Sequence, residues 1–145
     1  KKLQKYCAYQ DRCHQEVRSK LIELKVYGDR LEQIIADLIA EKFLDEQRFA
    51  NSFSGGKFRI KKWGRTKIRQ ALKMRRVSEY CIKKALLEEI PEADYLNTLR
   101  AVLEKKGRLL KEPNTFKRNA KLAQHAISRG FESHLVWELI KEDSI

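Results

Sequence analysis

Residues 57–76 hold ten basic side chains and no acidic one: Lys57, Arg59, Lys61, Lys62, Arg65, Lys67, Arg69, Lys73, Arg75 and Arg76. Such a window can recognise anions, either phosphates or an acidic protein surface. Elsewhere the charge nearly balances. Residues 1–56 and 113–145 each carry a net +1 and residues 77–112 carry none, so most of the chain's +12 sits in twenty residues. That concentration points to a site rather than to a generally basic protein. If Gly64 opens a helix, Ile68, Ala71 and Leu72 face inward. Arg65, Arg69, Lys73 and Arg76 then form a stripe down one side, at spacings of four, four and three. Lys57 and Lys61 extend the stripe upstream, and Lys62 and Lys67 flank it. A merely solvated helix face usually mixes signs to form i,i+4 pairs, and this one has no acid. The expected binding residues are Lys57, Lys61, Lys62, Arg65, Lys67, Arg69, Lys73 and Arg76. Because Arg65, Arg69 and Lys73 project away from Ile68 and Leu72, replacing them should leave the fold intact. The Trp63 indole can stack on a base or pack beneath the helix, and packing is the favoured reading.

Other reactive residues form no constellation. His14, His125 and His134 lie far apart, and no His-x3-His or Cys-x2-Cys spacing exists. Cys13 and His14 are helical neighbours pointing about 100° apart, so they do not converge on a metal. No metal or other cofactor is expected. Phosphate-loop and nucleophile-elbow patterns are missing too. Asp45-Glu46 resembles a carboxylate pair, but it follows Leu44 at the start of a helical pattern, where acids favour the positive end of the helix dipole. Capping is the better reading, and no enzymatic activity is expected.

The elements that must carry the basic window are helices. Apolar residues recur at three and four, as in Cys13, Val17, Leu21, Leu24 and in Leu31, Ile34, Ile35, Leu38. No strand alternation persists and no Asn-Gly or Asp-Gly hairpin signal occurs. Eight or nine helices are predicted. They also repeat. With Leu21, Leu72 and Ala126 as position zero, Val17, Ile68 and Leu122 stand four earlier. Val26, Val77 and Phe131 stand five later, and Leu31, Ile82 and Val136 ten later. A third helix aligns without gaps from Leu44 and from Ile90. The expected architecture is all-α: tandem three-helix repeats in an elongated, curved array, with one repeat domain over 1–145. Its repeats run approximately 11–56, 57–112 and 113–145, the last lacking its third helix. Gly130 sits where a left-handed residue can end a helix, whereas Lys25 and Arg76 stand at that position in the other repeats, predicting differently shaped turns. Gly55-Gly56 should break or kink a helix, and Gly107 should end one.

With 42% apolar and 36% charged residues, the composition is that of a globular protein. No apolar run approaches the ~20 residues of a membrane span, and no membrane association is expected. The N-terminus lacks the apolar core of a secretory signal. Lys1 in place of an initiator Met suits a trimmed fragment. Three cysteines without framework spacing predict reduced thiols in a cytoplasmic protein, read here as a monomer.

Three segments together resemble the bacterial RecX family of recombinase regulators, in the form found in Bacteroides-like bacteria. They are Phe43-Leu44-Asp45-Glu46-Gln47-Arg48-Phe49-Ala50, Lys62-Trp63-Gly64-Arg65-Thr66-Lys67-Ile68 with Leu72, and Ser128-Arg129-Gly130-Phe131. The likeness runs from about Tyr6 to Ile140 and rests on the segments' order and spacing. It implies tandem three-helix repeats and a non-enzymatic protein that binds the RecA–DNA filament and modulates strand exchange and coprotease activity. That activity belongs to homologous recombination, DNA repair and the SOS response. The implied partner is the RecA filament, with single- or double-stranded DNA as a further one. A stand-alone DNA-binding helical module is the alternative reading. Lys25 and Arg76 depart from a turn glycine common in the family, and Gly55-Gly56 falls where the family continues a helix.

Overall fold

A computed structural model describes residues 1–143. Among them lie nine helices and no strand: α1 (Lys2–Tyr9), α2 (His14–Glu23), α3 (Gly28–Ala40), α4 (Glu46–Arg59), α5 (Arg65–Met74), α6 (Glu79–Glu89), α7 (Glu92–Leu109), α8 (Thr115–Ser128) and α9 (Ser133–Asp143). Ser144 and Ile145, the end of the repeat expected over 113–145, lie outside the described residues. Two compact units form. Unit one comprises Lys1–Ser54 with Ala71–Glu88, and unit two comprises Gly55–Gln70 with the chain from Glu89 onward. Helices α4 and α5 each pass from one unit into the other.

The repeating template fixes what is buried. Val17, Leu21, Ile68, Leu72, Leu122, Ala126, Ile82 and Val136 are all fully enclosed. In unit one, α1, α2 and α3 share a core of Leu3, Cys7, Val17, Leu21, Leu31, Ile35, Leu38 and Leu44. Helix α1 precedes the first expected repeat. Yet its buried Leu3 and Cys7 keep the spacing of four found at Phe49 and Phe53 in α4 and at Tyr95 and Leu99 in α7. In unit two a largely aliphatic core includes an aromatic run: the Phe58, Tyr95 and Phe131 rings follow one another at centroid distances of 5.9 and 5.2 Å. Leu72→Ala should therefore cost roughly 2–5 kcal/mol and the neighbouring Lys73→Ala under about 0.5 kcal/mol, read by urea denaturation. Equal midpoints would mean that α5 is rotated from the position described.

The turns correct one expectation. The amides of Val26, Val77 and Phe131 donate back to the carbonyls of Leu21, Leu72 and Ala126, at 2.9, 3.1 and 3.2 Å. Lys25 (φ 62°), Arg76 (φ 60°) and Gly130 (φ 101°) all stand in the left-handed region. The three turns share one closing bond, whether or not glycine is present. Lys42 (φ 63°) ends α3 in the same way, with the Phe43 amide 2.9 Å from the Leu38 carbonyl. A left-handed non-glycine residue costs about 1 kcal/mol or more. Each of these substitutes is a cation at a helix C-terminus, where the dipole favours positive charge and offsets part of that cost.

Two glycine expectations are also corrected. Helix α4 runs through Gly55-Gly56, and the Ile60 amide continues the ladder to the Gly56 carbonyl at 2.9 Å. A Cβ on Gly55 would meet only the ends of two flexible side chains, the Arg59 guanidinium at 2.5 Å and Glu89 Oε1 at 2.8 Å, which can move aside. Helix α7 likewise continues past Gly107 to Leu109. Gly107 is buried, and its carbonyl accepts from Arg118 Nη1 at 3.0 Å. Tertiary packing overrides intrinsic propensity at both places.

Candidate functional site

The basic window divides into solvated and enclosed cations. Lys61, Lys62, Lys73 and Arg76 are exposed, whereas Lys57, Arg65, Lys67 and Arg69 are half-buried. Lys73 Nζ lies 3.8 Å from Glu79 within unit one. The Trp63 indole is half-buried, with Lys57 Nζ 4.9 Å and Lys67 Nζ 4.5 Å from its ring centroid. Trp63 is thus flanked by two cations of the window rather than enclosed in the core.

Arg65 departs most from the reading as a free stripe residue. Its guanidinium stacks 3.9 Å above the Tyr95 ring. Nη1 donates to Glu92 Oε2 at 3.0 Å. Nε lies 2.9 Å from Glu132 Oε2, an ion-pair contact without the alignment of a hydrogen bond. The Arg65 amide donates to the Tyr95 hydroxyl at 3.0 Å, and that hydroxyl donates to Glu132. Burial works against the guanidinium's charge. Glu132, Tyr95 and Glu92 more than offset it and hold the proton more firmly. Burial together with the Glu132 contact also drives the Tyr95 phenol well above its ordinary range. The expectation that Arg65 projects freely from the helix is corrected: it is half-buried, and Tyr95, Glu92 and Glu132 of unit two hold its guanidinium.

Beside it the backbone closes on itself. The Gly64 amide donates to the Arg129 carbonyl at 2.8 Å, and the Thr66 amide to the Gly130 carbonyl at 2.9 Å. These are orphan amides at the start of α5, satisfied by the turn that ends α8. Approach this close requires glycine on both sides. A Cβ on Gly64 would fall on the Gly130 carbonyl and the Phe131 amide, and a Cβ on Gly130 would meet the Lys67 backbone nitrogen at 2.7 Å. Lys62-Trp63-Gly64-Arg65-Thr66 and Arg129-Gly130-Phe131 are therefore two halves of one clasp.

The acidic pair Asp45-Glu46 is engaged in local hydrogen bonds. Asp45 Oδ1 accepts from the Arg48 amide at 3.0 Å and caps α4. Glu46 accepts from the Ser78 hydroxyl at 2.8 Å at the start of α6. Burial raises the Glu46 carboxyl, but hydrogen bonds from Ser78 and Cys81 outweigh it and keep the group below its usual range. The thiols of Cys7, Cys13 and Cys81 are free, and burial pushes all three up, away from thiolate. Among the described residues no group of three or more metal-ligating side chains converges, and no helix is long and apolar enough to cross a membrane.

A cationic surface that sequence reasoning missed lies on α7 and α8. Val102, Lys105, Lys106 and Leu109 share one face of α7 at helical spacing, as do His125 and Arg129 at the end of α8. With Lys62 they enclose a cavity of about 230 Å³ in unit two. The segment 77–112 carries no net charge, so no charge run announced Lys105 and Lys106.

Comparison with known proteins matches the helical groups in order. Residues 45–86 match the family model for the RecX second three-helix domain, and residues 92–140 match that for the third. These segments group α4–α6 and α7–α9, one helix out of phase with repeats beginning at 57 and 113. The regulatory protein RecX of Prosthecochloris aestuarii is 30% identical over 137 residues, covering 94% of this chain and 87% of the relative. That of Clostridium botulinum is 32% identical over 129 residues, covering 88% and 59%. That of Limosilactobacillus reuteri is 26% identical over 140 residues, covering 97% and 52%, so this chain spans little more than half of those two relatives. The crystal structure of RecX from Lactobacillus salivarius superposes with a TM-score of 0.89 at 22% identity over 99% of this chain and 93% of that one, a likeness of fold. Sequence likeness along nearly the whole chain and the same helical groups in the same order agree: the chain belongs to the RecX family.

Proposed function

We propose that this chain regulates RecA recombinase by binding RecA–DNA filaments, and that it acts in the cytoplasm without catalysing a reaction. Its membership of a family of regulatory proteins carries the reading. The exposed cations Lys61, Lys62, Lys73 and Arg76 supply the means, because they meet solvent where an anionic filament can reach them. Arg65 supports the surface from within rather than touching the partner. The binding residues proposed from the window are Lys57, Lys61, Lys62, Lys67, Arg69, Lys73 and Arg76, with the four exposed ones making the main contribution.

The test is binding to RecA filament, naked single-stranded DNA and naked duplex at matched salt. The wild-type chain should prefer the filament and inhibit or stimulate strand exchange. Combined Lys61→Gln, Lys73→Gln and Arg76→Gln should weaken that binding at least tenfold, with the circular dichroism spectrum unchanged. If these side chains meet phosphate, the slope of log affinity against log salt should fall by roughly two to three. Equal affinity for filament and naked DNA would favour the stand-alone DNA-binding module. A folded triple variant that regulates RecA fully would remove these cations from the functional surface.

A further inference from the structure

The cavity on α7 and α8 is strongly one-signed. Among the described residues Lys62, Lys105, Lys106, His125 and Arg129 line it together with Val102 and Leu109, and no acid does. Two of the cations are fixed by the backbone: Lys62 Nζ donates to the Arg59 carbonyl at 2.8 Å, and Arg129 Nη1 donates to the Lys61 carbonyl at 3.2 Å. Lys62 is held there in a left-handed conformation (φ 58°) that a lysine rarely adopts. Lys105 and Lys106 form no ion pair among the described residues. Four cationic side chains thus share one recess, two of them held by backbone carbonyls and none facing an acid of the lining. A second cavity of about 330 Å³ shares Lys106 and His125 and adds Lys121 and Gln124. Its acid neighbour, Glu112, is held by Lys121 at 3.1 Å.

We propose that this cavity is a phosphate-binding site, and that a bound phosphate draws a proton onto His125. A single carboxylate carries one charge and two oxygens. A phosphate group presents more oxygens to several donors at once, and a second phosphate has room in the adjoining cavity. Lysine ammonium groups suit such a ligand as point charges, and the Arg129 guanidinium supplies a planar fork. The apolar patch of Val102 and Leu109 accepts a sugar or base edge but offers no aromatic stacking, so recognition is of the phosphate and not of base identity.

His125 makes occupancy readable. Burial, then Arg129 and Lys106, hold its imidazole below the usual histidine range. The charged groups around it are Lys106 from α7 and Arg129 from the end of its own helix, with Lys62, Lys105 and Lys121 on the walls of the two cavities. An anion among these groups reverses the local field and raises the imidazole's affinity for a proton. By linkage the anion then binds more tightly as pH falls through the bound-state value, and the preference is lost at higher pH. The proposal does not depend on the filament reading.

The phosphate has two sources, a nucleic-acid backbone or a free polyphosphate, and one experiment separates them. The His125 ring resonance of the full chain is followed by NMR, with His14 and His134 as internal controls. Short oligothymidylate and inorganic pyrophosphate are titrated separately. The pH series uses oligothymidylate, because its phosphodiesters keep their charge between pH 6 and 8. At least one probe should shift His125 selectively and raise its titration midpoint. Oligothymidylate, if it is the ligand, should bind at least about threefold more tightly at pH 6 than at pH 8. His125→Gln should abolish that pH dependence, lowering the affinity at pH 6 to about that at pH 8, and combined Lys105→Gln and Lys106→Gln should lower affinity about tenfold or more. A shift with oligothymidylate alone assigns the site to nucleic-acid backbone, and a shift with pyrophosphate alone assigns it to a free polyphosphate. No shift from either probe in the wild-type chain overturns the proposal. So does an equal shift from a poly-glutamate peptide of matched charge.

Discussion

Gly64→Ala should destabilise unit two by about 3 kcal/mol or more, although it adds one methyl group to a solvent-rich, highly charged segment. The methyl has nowhere to go. It would lie on the carbonyl of Gly130 and the amide of Phe131, which are backbone atoms with no rotamer to change. Making room would stretch the Gly64–Arg129 and Thr66–Gly130 hydrogen bonds, now 2.8 and 2.9 Å, and expose amides at the start of α5. The Tyr95–Phe131 contact at 5.2 Å lies directly behind that turn and would loosen with it. Gly56→Ala is the matched control. No atom stands within 4 Å of the position its Cβ would take, and it lies inside α4. Alanine there should stabilise by about 0.5–1 kcal/mol through helix propensity. Both tryptophans, Trp63 and Trp137, belong to unit two, so urea denaturation followed by their fluorescence reports on the right unit. A Gly64→Ala variant as stable as wild type would show that the clasp does not hold the unit together.

Arg65→Glu should cost about 3 kcal/mol or more, whereas Arg76→Glu should cost no more than about 1 kcal/mol, from the lost cation at the C-terminus of α5. Both variants change the net charge equally, so a general charge effect predicts no difference. At position 65 the new carboxylate would face Glu92 and Glu132, whose oxygens now lie 3.0 and 2.9 Å from guanidinium nitrogens. It would also remove the cation stacked on Tyr95 and leave the Tyr95–Glu132 hydrogen bond among like charges. Arg76 has no comparable enclosure: it is exposed at the turn after α5. Coincident denaturation midpoints for the two variants would place Arg65 back on the solvated stripe. For filament-binding experiments the contrast matters directly. Loss of regulation on changing Arg65 reports on folding, whereas loss on changing Lys73 or Arg76 reports on the surface.

The sequence alone determined what depends on local period and charge. Helical spacing at Val17 and Leu21, Ile68 and Leu72, Leu122 and Ala126 specified three equivalent buried helix faces, and the structure encloses all six side chains. The segments 43–50, 62–68 and 128–131 identified the family. The concentration of cations in residues 57–76 was equally legible, because net charge is a property of composition. Tertiary structure decided what each of those residues does. The helix α4 runs on through Gly55 and Gly56, whereas Gly64 and Gly130 meet backbone to backbone, and only the folded chain distinguishes the two uses of glycine. Whether a cation is a ligand-binding group or an internal strut depends on which acids fold over it. Glu92 and Glu132 enclose Arg65 from positions 27 and 67 residues away, a distance that no helical periodicity encodes. The same holds for the cavity on α7 and α8. Lys62, Lys105, Lys106, His125 and Arg129 are scattered along the chain, and only the packing of unit two brings their charges together with no acid among them.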